Sequence, residues 1–427
     1  MIMRVGICSL GCRVNIYESE YVEDLLKNNG YEIVDFGDMA DIYIINTCSV
    51  TNESDKKSRK MINQAKRRNS EAVIVVMGCY SQVKSEEIDA DIVIGNKDKS
   101  LIVSYINDYI KNRESIKKIY NLREEKFFEP MVINEFDNHT RAFVKIQDGC
   151  NAFCSYCIIP YTRGVVRSKK VSDVLYEVSN LVKSGYKEVV LTGIHTGKYG
   201  IDLGDTNLEM LLRELIKIDG LYRLRLSSIE INEITDGIME LIKSSNIISS
   251  HFHIPIQSGS NKILKLMNRK YDLDYFKKRI KEIKSLRDDI SITTDLIVGF
   301  PFEEEEDFNN TLVNLKEIGF TKIHTFPYSK RDGTPASVMS NQVDGKIKKS
   351  RVREVLKLSD ELEYNYYKKY ISCVLEGVTE LRKDNSVVVH TSNFIPVRVD
   401  NVCDNNKIVK VKIIDVLSNG EVIGKVI

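Results

Sequence analysis

The run Cys150-Asn-Ala-Phe-Cys154-Ser-Tyr-Cys157 puts three thiols on one short loop. Three thiolates so close together can face a single inorganic centre. Their gaps of three and then two residues do not match the paired two-residue spacings of zinc sites. Bacterial ferredoxin runs use two-residue gaps and a fourth Cys before Pro, and no fourth thiol follows here. No partner histidine lies within reach for a zinc knuckle. The pattern points to a [4Fe–4S] cluster on three thiolates, with one iron open to an exogenous ligand. A second triplet is dispersed: Cys12, Cys48 and Cys79 each fall just past an expected strand. That carboxyl edge is where open parallel sheets assemble ligand sites. The plainer alternative is three buried apolar cysteines. Cys8 could replace Cys12 as a ligand, although a place inside the strand suits a core role. Cys373 and Cys403 lack partners in sequence and read as core residues.

The elements that must carry these thiols form an α/β chain. Over residues 1–125, Met3–Ser9, Asp41–Ile45 and Ala72–Met77 read as strands. Val22, Leu25 and Leu26 recur at helical spacing before Gly30, and Ser54–Arg68 is a polar helix. Strand and helix alternating at about 30-residue intervals imply a parallel sheet. Asn121–Asn138 is charged, unperiodic and linker-like. Residues 139–370 contain strand candidates Phe143–Gln147, Glu188–Thr192, Tyr222–Ser227, His253–Gln257, Ser291–Val298 and Lys322–Phe326. Amphipathic stretches such as Asp173–Lys183, Leu208–Ile218 and Asp274–Leu286 separate them, which predicts a (β/α)6 partial barrel. Glu306–Ile318 and Lys346–Tyr370 are the last long helices. Residues 371–427, with Val374–Leu381, Ser386–His390, Ile395–Val399 and Ile408–Val416, predict a small β-barrel.

Three domains agree with a length of 427 residues. With 42% hydrophobic residues and seven Pro, the chain can bury sizeable cores. Lys plus Arg number 62 and Asp plus Glu 61. That balance argues against a wholly basic nucleic-acid-binding chain and against an acidic disordered one. No apolar run approaches a membrane span. Met1–Gly11 is too short for a secretory signal, and a lipoprotein-type cleavage before Cys12 is rejected because Arg4 is the only basic residue preceding it. Nine cysteines in a large chain without a signal favour metal or catalytic thiols over disulfides. Charge is uneven along the chain. Between Glu53 and Arg68, seven basic residues face two acidic ones, and Lys56, Arg59, Lys60 and Lys66 share a helical face. Arg163, Arg167, Lys169 and Lys170 follow the cysteine loop and could reach phosphates. A solvated helix face is the bland reading of the first patch. The C-terminal module has seven basic and seven acidic residues, which favours polar or shape recognition.

With the motifs in this order, the sequence resembles the radical S-adenosylmethionine (SAM) methylthiotransferases across nearly its whole length. The carrying segments are Leu10–Asn15, Asn46–Val50, Met77–Cys79, Gly149–Gly164, His253–Ser260, Asp295–Pro301 and Phe326–Ser329. Leu191–Gly200 and Phe326–Ala336 most resemble the branch acting on threonylcarbamoyladenosine (t6A) in tRNA. The family usually has Gly at the position of Phe302 and often Pro at that of Ile231.

The resemblance implies an N-terminal methylthiotransferase domain, a radical-SAM barrel and a C-terminal TRAM RNA-binding domain of OB-like form. It implies two [4Fe–4S] clusters and SAM as cofactors, and replacement of the C2 hydrogen of adenosine-37, next to the anticodon, by a methylthio group. Cys150, Cys154 and Cys157 would hold the SAM-binding cluster; Cys12, Cys48 and Cys79 would hold an auxiliary cluster carrying the sulfur. Candidate SAM contacts are Tyr156, Thr192, Gly193, Ser227, Ser228, Gln257, Ser258, Asp295 and Gly299. Candidate RNA contacts are Lys56, Arg59, Lys60, Arg163 and Arg167. His195 could orient a ligand or be structural, and a metal role for His251 and His253 is not expected. Expected partners are tRNA and an external flavodoxin- or ferredoxin-type electron donor, with no membrane and a cytoplasmic location; oligomeric state is left open. Rival readings are sister branches acting on isopentenyladenosine in tRNA or on a ribosomal-protein aspartate. A non-catalytic iron–sulfur RNA-binding sensor is the alternative of another class.

Overall fold

A computed structural model describes residues 2–133, 140–382, 386–400 and 404–427. Cys403, Lys383, Asp384, residues 134–138 of the expected linker and the expected boundary at 139 lie outside the described residues. The N-terminal layer is a six-stranded parallel sheet of β1 (Arg4–Ser9), β2 (Glu32–Val34), β3 (Ile42–Thr47), β4 (Val73–Gly78), β5 (Ile92–Ile94) and β6 (Ile116–Lys118). Its spatial order is β2-β1-β3-β4-β5-β6. β3 and β4 are buried along their whole length, as strands covered on both faces must be. Helices α1 (Arg13–Asn28), α2 (Asn52–Arg68) and α3 (Cys79–Lys84) leave the carboxyl ends of β1, β3 and β4. β2, β5 and β6 have three residues each, too few to produce a periodic signal in the sequence.

After α4 (Ile102–Asn112) come β7 (Arg141–Asp148), α5 (Ile159–Arg163), β8 (Arg167–Ser168), β9 (Glu188–Gly193), β10 (Arg223–Leu226), β11 (His251–His253), β12 (Ser291–Val298) and β13 (Lys322–Pro327). β8 pairs antiparallel with β7, and β7-β9-β10 and β11-β12-β13 are parallel sheets. Parallel bridges Leu224–Ile248 and Ser228–His253 join them into the six-stranded partial barrel. One expectation needs correction: the strand expected over His253–Gln257 ends at His253. Pro255 offers no backbone donor, and Gln257 has φ 65°, outside the range of a strand. The helix Gly345–Lys368 covers the edge of β13, where Ser359 Oγ accepts from the Ile323 amide at 3.0 Å.

Strands β14 (Val374–Leu381), β15 (Val387–Thr391), β16 (Pro396–Val399), β17 (Ile408–Val416) and β18 (Val422–Val426) close a five-stranded barrel around Val389, Val397, Val411 and Ile413. Cys373, expected in a core, is exposed at the turn into β14. No helix among the described residues is long and apolar enough to cross a membrane.

Two buried charge clusters fix these units together. At the floor of the partial barrel, Arg223 and Arg225 reach Glu188 at 3.0 and 2.8 Å. Arg223 donates to His390 O, and Arg225 to Ser392 O and Thr391 O. Phe394 stacks on His251 at 4.6 Å and lies 4.8 Å from the Arg225 guanidinium. Between the N-terminal layer and the barrel, Glu18 of α1 is met by Arg163 (2.8 Å), Lys145 (2.7 Å) and Lys99 (3.4 Å). Asp148 takes Lys145 and Arg163 at 2.6 and 3.2 Å.

Burial pushes the Glu188 carboxyl up, but Arg225, then Arg223 and Arg141, hold it down at about 2. Its folded value lies below the unfolded one, so this pairing stabilises the fold above the ordinary carboxylate range and is lost as pH falls toward 2. Urea titrations from pH 5 to pH 2 should show wild type losing roughly 3 kcal/mol that Glu188→Gln does not lose.

Candidate metal centres and active-site cavity

The loop from β7 into α5 gathers the first cysteine triplet. Gly149 opens it with φ 72°, and a Cβ there would lie 1.8 Å from Val165 O, so only glycine fits. Cys150 Sγ lies 3.2 Å from His195 Nδ1, and Arg269 Nη1 donates to Cys154 Sγ at 3.2 Å. Burial first, then the Cys154 and Cys150 sulfurs, pushes the Cys157 thiol far up, as crowded thiols without a metal require. His195 Nε2 is in turn 2.7 Å from Glu233 Oε1. Burial disfavours its charged form, but Cys150 and Glu233 hold its proton, raising the imidazole to about 10.

The second triplet stands at three strand ends, Cys12 after β1, Cys48 after β3 and Cys79 after β4. Gly11, at φ 94°, lets the chain pass so close that a Cβ would stand 2.7 Å from Cys48 Sγ. Burial, then Cys79 and also Cys12, raise the Cys48 thiol to about 11. Asn96 Nδ2 lies 3.5 Å from Cys79 Sγ. Cys8 instead packs with Phe36, Tyr43 and Ile45 on the sheet face. Asn15 ties the loops together, donating to Leu10 O at 2.7 Å and Thr47 O at 2.9 Å, while its own oxygen accepts from Arg163 at 2.7 Å.

Cys12 opens onto a cavity of about 620 Å3 that runs into the barrel lumen. Thr192, Gly193, Ser227 and Ser228 line it, as do Asn393, Phe394 and Pro396 from the C-terminal part of the chain. The other candidate SAM contacts are placed elsewhere. Tyr156 packs against Ile263, Met267 and Phe300. Asp295 turns to His253 at 3.2 Å, and the Gln257 amide donates to Asp295 O. Ser258 accepts from the Ser260 amide; Gly299 donates to Glu303 beneath Lys348. Phe302 adopts φ 68°, retaining the left-handed backbone that the usual glycine would take, and Ile231 is fully buried in the core.

Lys56, Arg59 and Lys60 are exposed on α2. Lys56 and Arg59 border a groove of about 730 Å3 shared with Tyr80, Lys84, Tyr161 and Lys330. Arg163 and Arg167 require correction: both are buried, Arg163 at 0% and Arg167 at 4% exposure, and both face Asp148. Phosphates cannot reach them. Lys169, also buried, pairs with Glu177. Sequence reasoning also missed Glu230, Glu233 and Arg269. Arg269 is 2.8 Å from Glu230, and with His195 all three line a second cavity of about 220 Å3 beside Cys154. Two carboxylates directly after the Ser227-Ser228 strand end were the available signal.

Residues 4–95 match the family model described as Uncharacterized protein family UPF0004, and residues 144–314 match the Radical SAM superfamily. The threonylcarbamoyladenosine tRNA methylthiotransferase MtaB of Bacillus subtilis (strain 168) is 45% identical over 96% of this chain and 93% of its own length. The protein of that name from Aquifex aeolicus (strain VF5) is 40% identical over 96% of this chain and 100% of its own. The chain belongs to the radical-SAM methylthiotransferase family. The tRNA-2-methylthio-N(6)-dimethylallyladenosine synthase of Clostridium tetani is 34% identical over 98% of this chain and 91% of its own. Among solved structures, the radical S-adenosylmethionine methyltransferase TsrM from Kitasatospora setae shares the fold, with a TM-score of 0.59 and 12% identity over 79% of this chain and 77% of that one.

Membership brings SAM and iron–sulfur chemistry, and the donor sets fit it. Each triplet gathers three sulfurs, and burial disfavours the free thiolate at Cys48 in one and Cys157 in the other, a penalty that metal ligation removes. After anaerobic reconstitution, Cys12→Ala and Cys154→Ala should each lose about four irons of roughly eight, while Cys8→Ala should keep them all. Iron determination with Mössbauer spectroscopy checks this.

Proposed function

We propose that the chain converts N6-threonylcarbamoyladenosine-37 of tRNA to its 2-methylthio derivative. The observation that carries this reading is the cavity that begins at Cys12 and enters the barrel past Thr192, Gly193, Ser227 and Ser228. The C2 hydrogen of adenine has no useful acidity at neutral pH, so no side-chain base could remove it. SAM and [4Fe–4S] clusters, when bound, supply the radical chemistry that this bond demands.

The residues of the chain hold, orient and exclude. Cys150, Cys154 and Cys157 would hold the SAM-binding cluster, and Cys12, Cys48 and Cys79 the auxiliary one. Arg269 and His195 fix two sulfurs of the first set, and Glu233 orients His195. Val14, Ile16, Val50, Ile159 and Ile194 keep the cavity wall apolar, which limits water near a reactive carbon. Lys56, Arg59 and Lys60 would meet tRNA phosphates in a sequence-independent way. The barrel formed by β14 to β18, neutral overall, would add polar contacts. An external donor of the flavodoxin or ferredoxin type would supply electrons, and the enzyme would act in the cytoplasm on its tRNA substrate.

Relatives that carry the dimethylallyladenosine name are 34–36% identical, so the sister substrate is the reading to beat. Nucleoside analysis of tRNA from a deletion strain decides between them. Loss of 2-methylthio-t6A with other methylthio nucleosides unchanged is the expected profile; an intact t6A derivative would refute the assignment. In binding titrations against salt, Lys60→Ala should lower the slope of log K against log salt by about 1 without changing nucleoside preference.

A further inference from the structure

Arg13 is the first residue of α1 and follows Cys12 directly. Its side chain lines the cavity of about 620 Å3. Arg13 is half-buried there, and the more deeply buried guanidiniums of this protein are matched: Arg163 by Glu18, Arg225 by Glu188, Arg269 by Glu230 and Arg351 by Glu303. Arg13 has no hydrogen-bond or ion-pair partner among the described residues. Its guanidinium stays charged at neutral pH, as arginine does in proteins, and it stands near two further cations, Arg141 and Arg225. Glu188, the one acid acting on it from nearby, is already held by Arg223 and Arg225.

The surroundings ask for an anion. Among the described residues lining the cavity, Glu363 is the only carboxylate, and it is occupied by Lys322 at 2.9 Å and by the Tyr367 hydroxyl at 2.7 Å. Burial first, then Arg225, His253 and Arg13, keeps His251 neutral, and its Nδ1 has no partner. The first turn of α1 contains no acidic residue and no side-chain cap, so the positive end of its dipole adds to the field. A retained, unpaired guanidinium in a partly dry cavity is costly unless a ligand completes it.

Substrate chemistry says where that ligand must lie. C2 and C6 of adenine flank N1, so a substituent on N6 and the C2 position share one edge of the ring. A residue that recognises the N6 group must therefore stand beside the residue serving C2. Arg13 follows Cys12 in the chain, and both line the one cavity. We propose that Arg13 pairs with the carboxylate of the threonylcarbamoyl substituent, and so selects an anionic N6 group over a neutral hydrocarbon one. This rests on the t6A reading above. An isopentenyl group would leave the guanidinium buried and unpaired, and a site built for a polar partner rejects analogues lacking it strongly.

The test uses reconstituted full-length protein and anticodon stem-loop RNAs carrying t6A, its neutral carboxamide analogue, or plain adenosine at position 37. Fluorescence anisotropy should show wild type preferring t6A over the carboxamide by about 30-fold or more, given typical costs of unpairing a buried charge. Arg13→Gln should bind both RNAs alike, and Arg13→Lys should restore part of the preference, at wild-type iron content and circular dichroism. In turnover, Arg13→Gln should raise KM for t6A RNA more than it lowers kcat. A preference retained by Arg13→Gln would overturn the proposal, as would a wild type indifferent to the carboxylate. Equal losses on both RNAs with a changed auxiliary-cluster spectrum would also overturn it, making Arg13 a counter-ion of the cluster. Failure of the t6A reading itself looks different: wild type would then form no methylthio product on t6A RNA.

Discussion

Glu18, Arg163 and Asp148 are charged, buried and dependent on one another, and they sit between the two cysteine triplets. Burial pushes both carboxyls up, but the cations around them hold both well below the usual range. Arg163 lies at the end of the helix that follows Cys157, and Glu18 lies on the helix that begins after Cys12. Removing either partner would strand a charge in a dry interface, a loss of about 3–5 kcal/mol for typical buried pairs. The interface therefore tolerates few relative placements of the two loops. Asn15 and Asn96 extend this constraint: Asn15 bridges Leu10 and Thr47 to Arg163, and Asn96 links the Cys79 sulfur to Thr162 O.

The cavity follows from that junction. It is lined by the Cys12 loop and the start of α1, by the ends of β9 and β10, and by the chain around Phe394. Phe394 belongs to the C-terminal module and sits in a left-handed backbone conformation (φ 66°) against His251. Three units of the chain thus enclose one space, although each has its own core. Such a division suits chemistry in which one wall carries sulfur, another positions SAM and a third adds contacts to RNA.

Much of this was legible in the sequence because cysteine spacing and strand periodicity are local signals. The first triplet, the order of long strands and the closing β module follow from residues near one another, and the dispersed second triplet from the place of each cysteine just past a strand. Arg163 and Arg167 show where local reading stops: a run of cations after a metal loop looks like a phosphate grip. Only the fold reveals that Glu18, well over a hundred residues away, meets one of them. Glu230 and Arg269 escaped for the same reason, because their pairing joins two strand-end loops. The strands of three residues depend on tertiary pairing that outweighs weak local preference, whereas the early end of β11 follows from a local residue, Pro255. Cys373 failed differently; an apolar side chain at a turn need not be buried.

The buried charges around Arg163 fix the two metal loops relative to each other. The most direct measurement is pulsed EPR of dipolar coupling between the two clusters in reduced, fully reconstituted protein, comparing wild type with Arg163→Met at equal iron content. A narrow coupling distribution in wild type that broadens or shifts in the variant is the predicted result. Superimposable distributions in the two proteins would contradict the account.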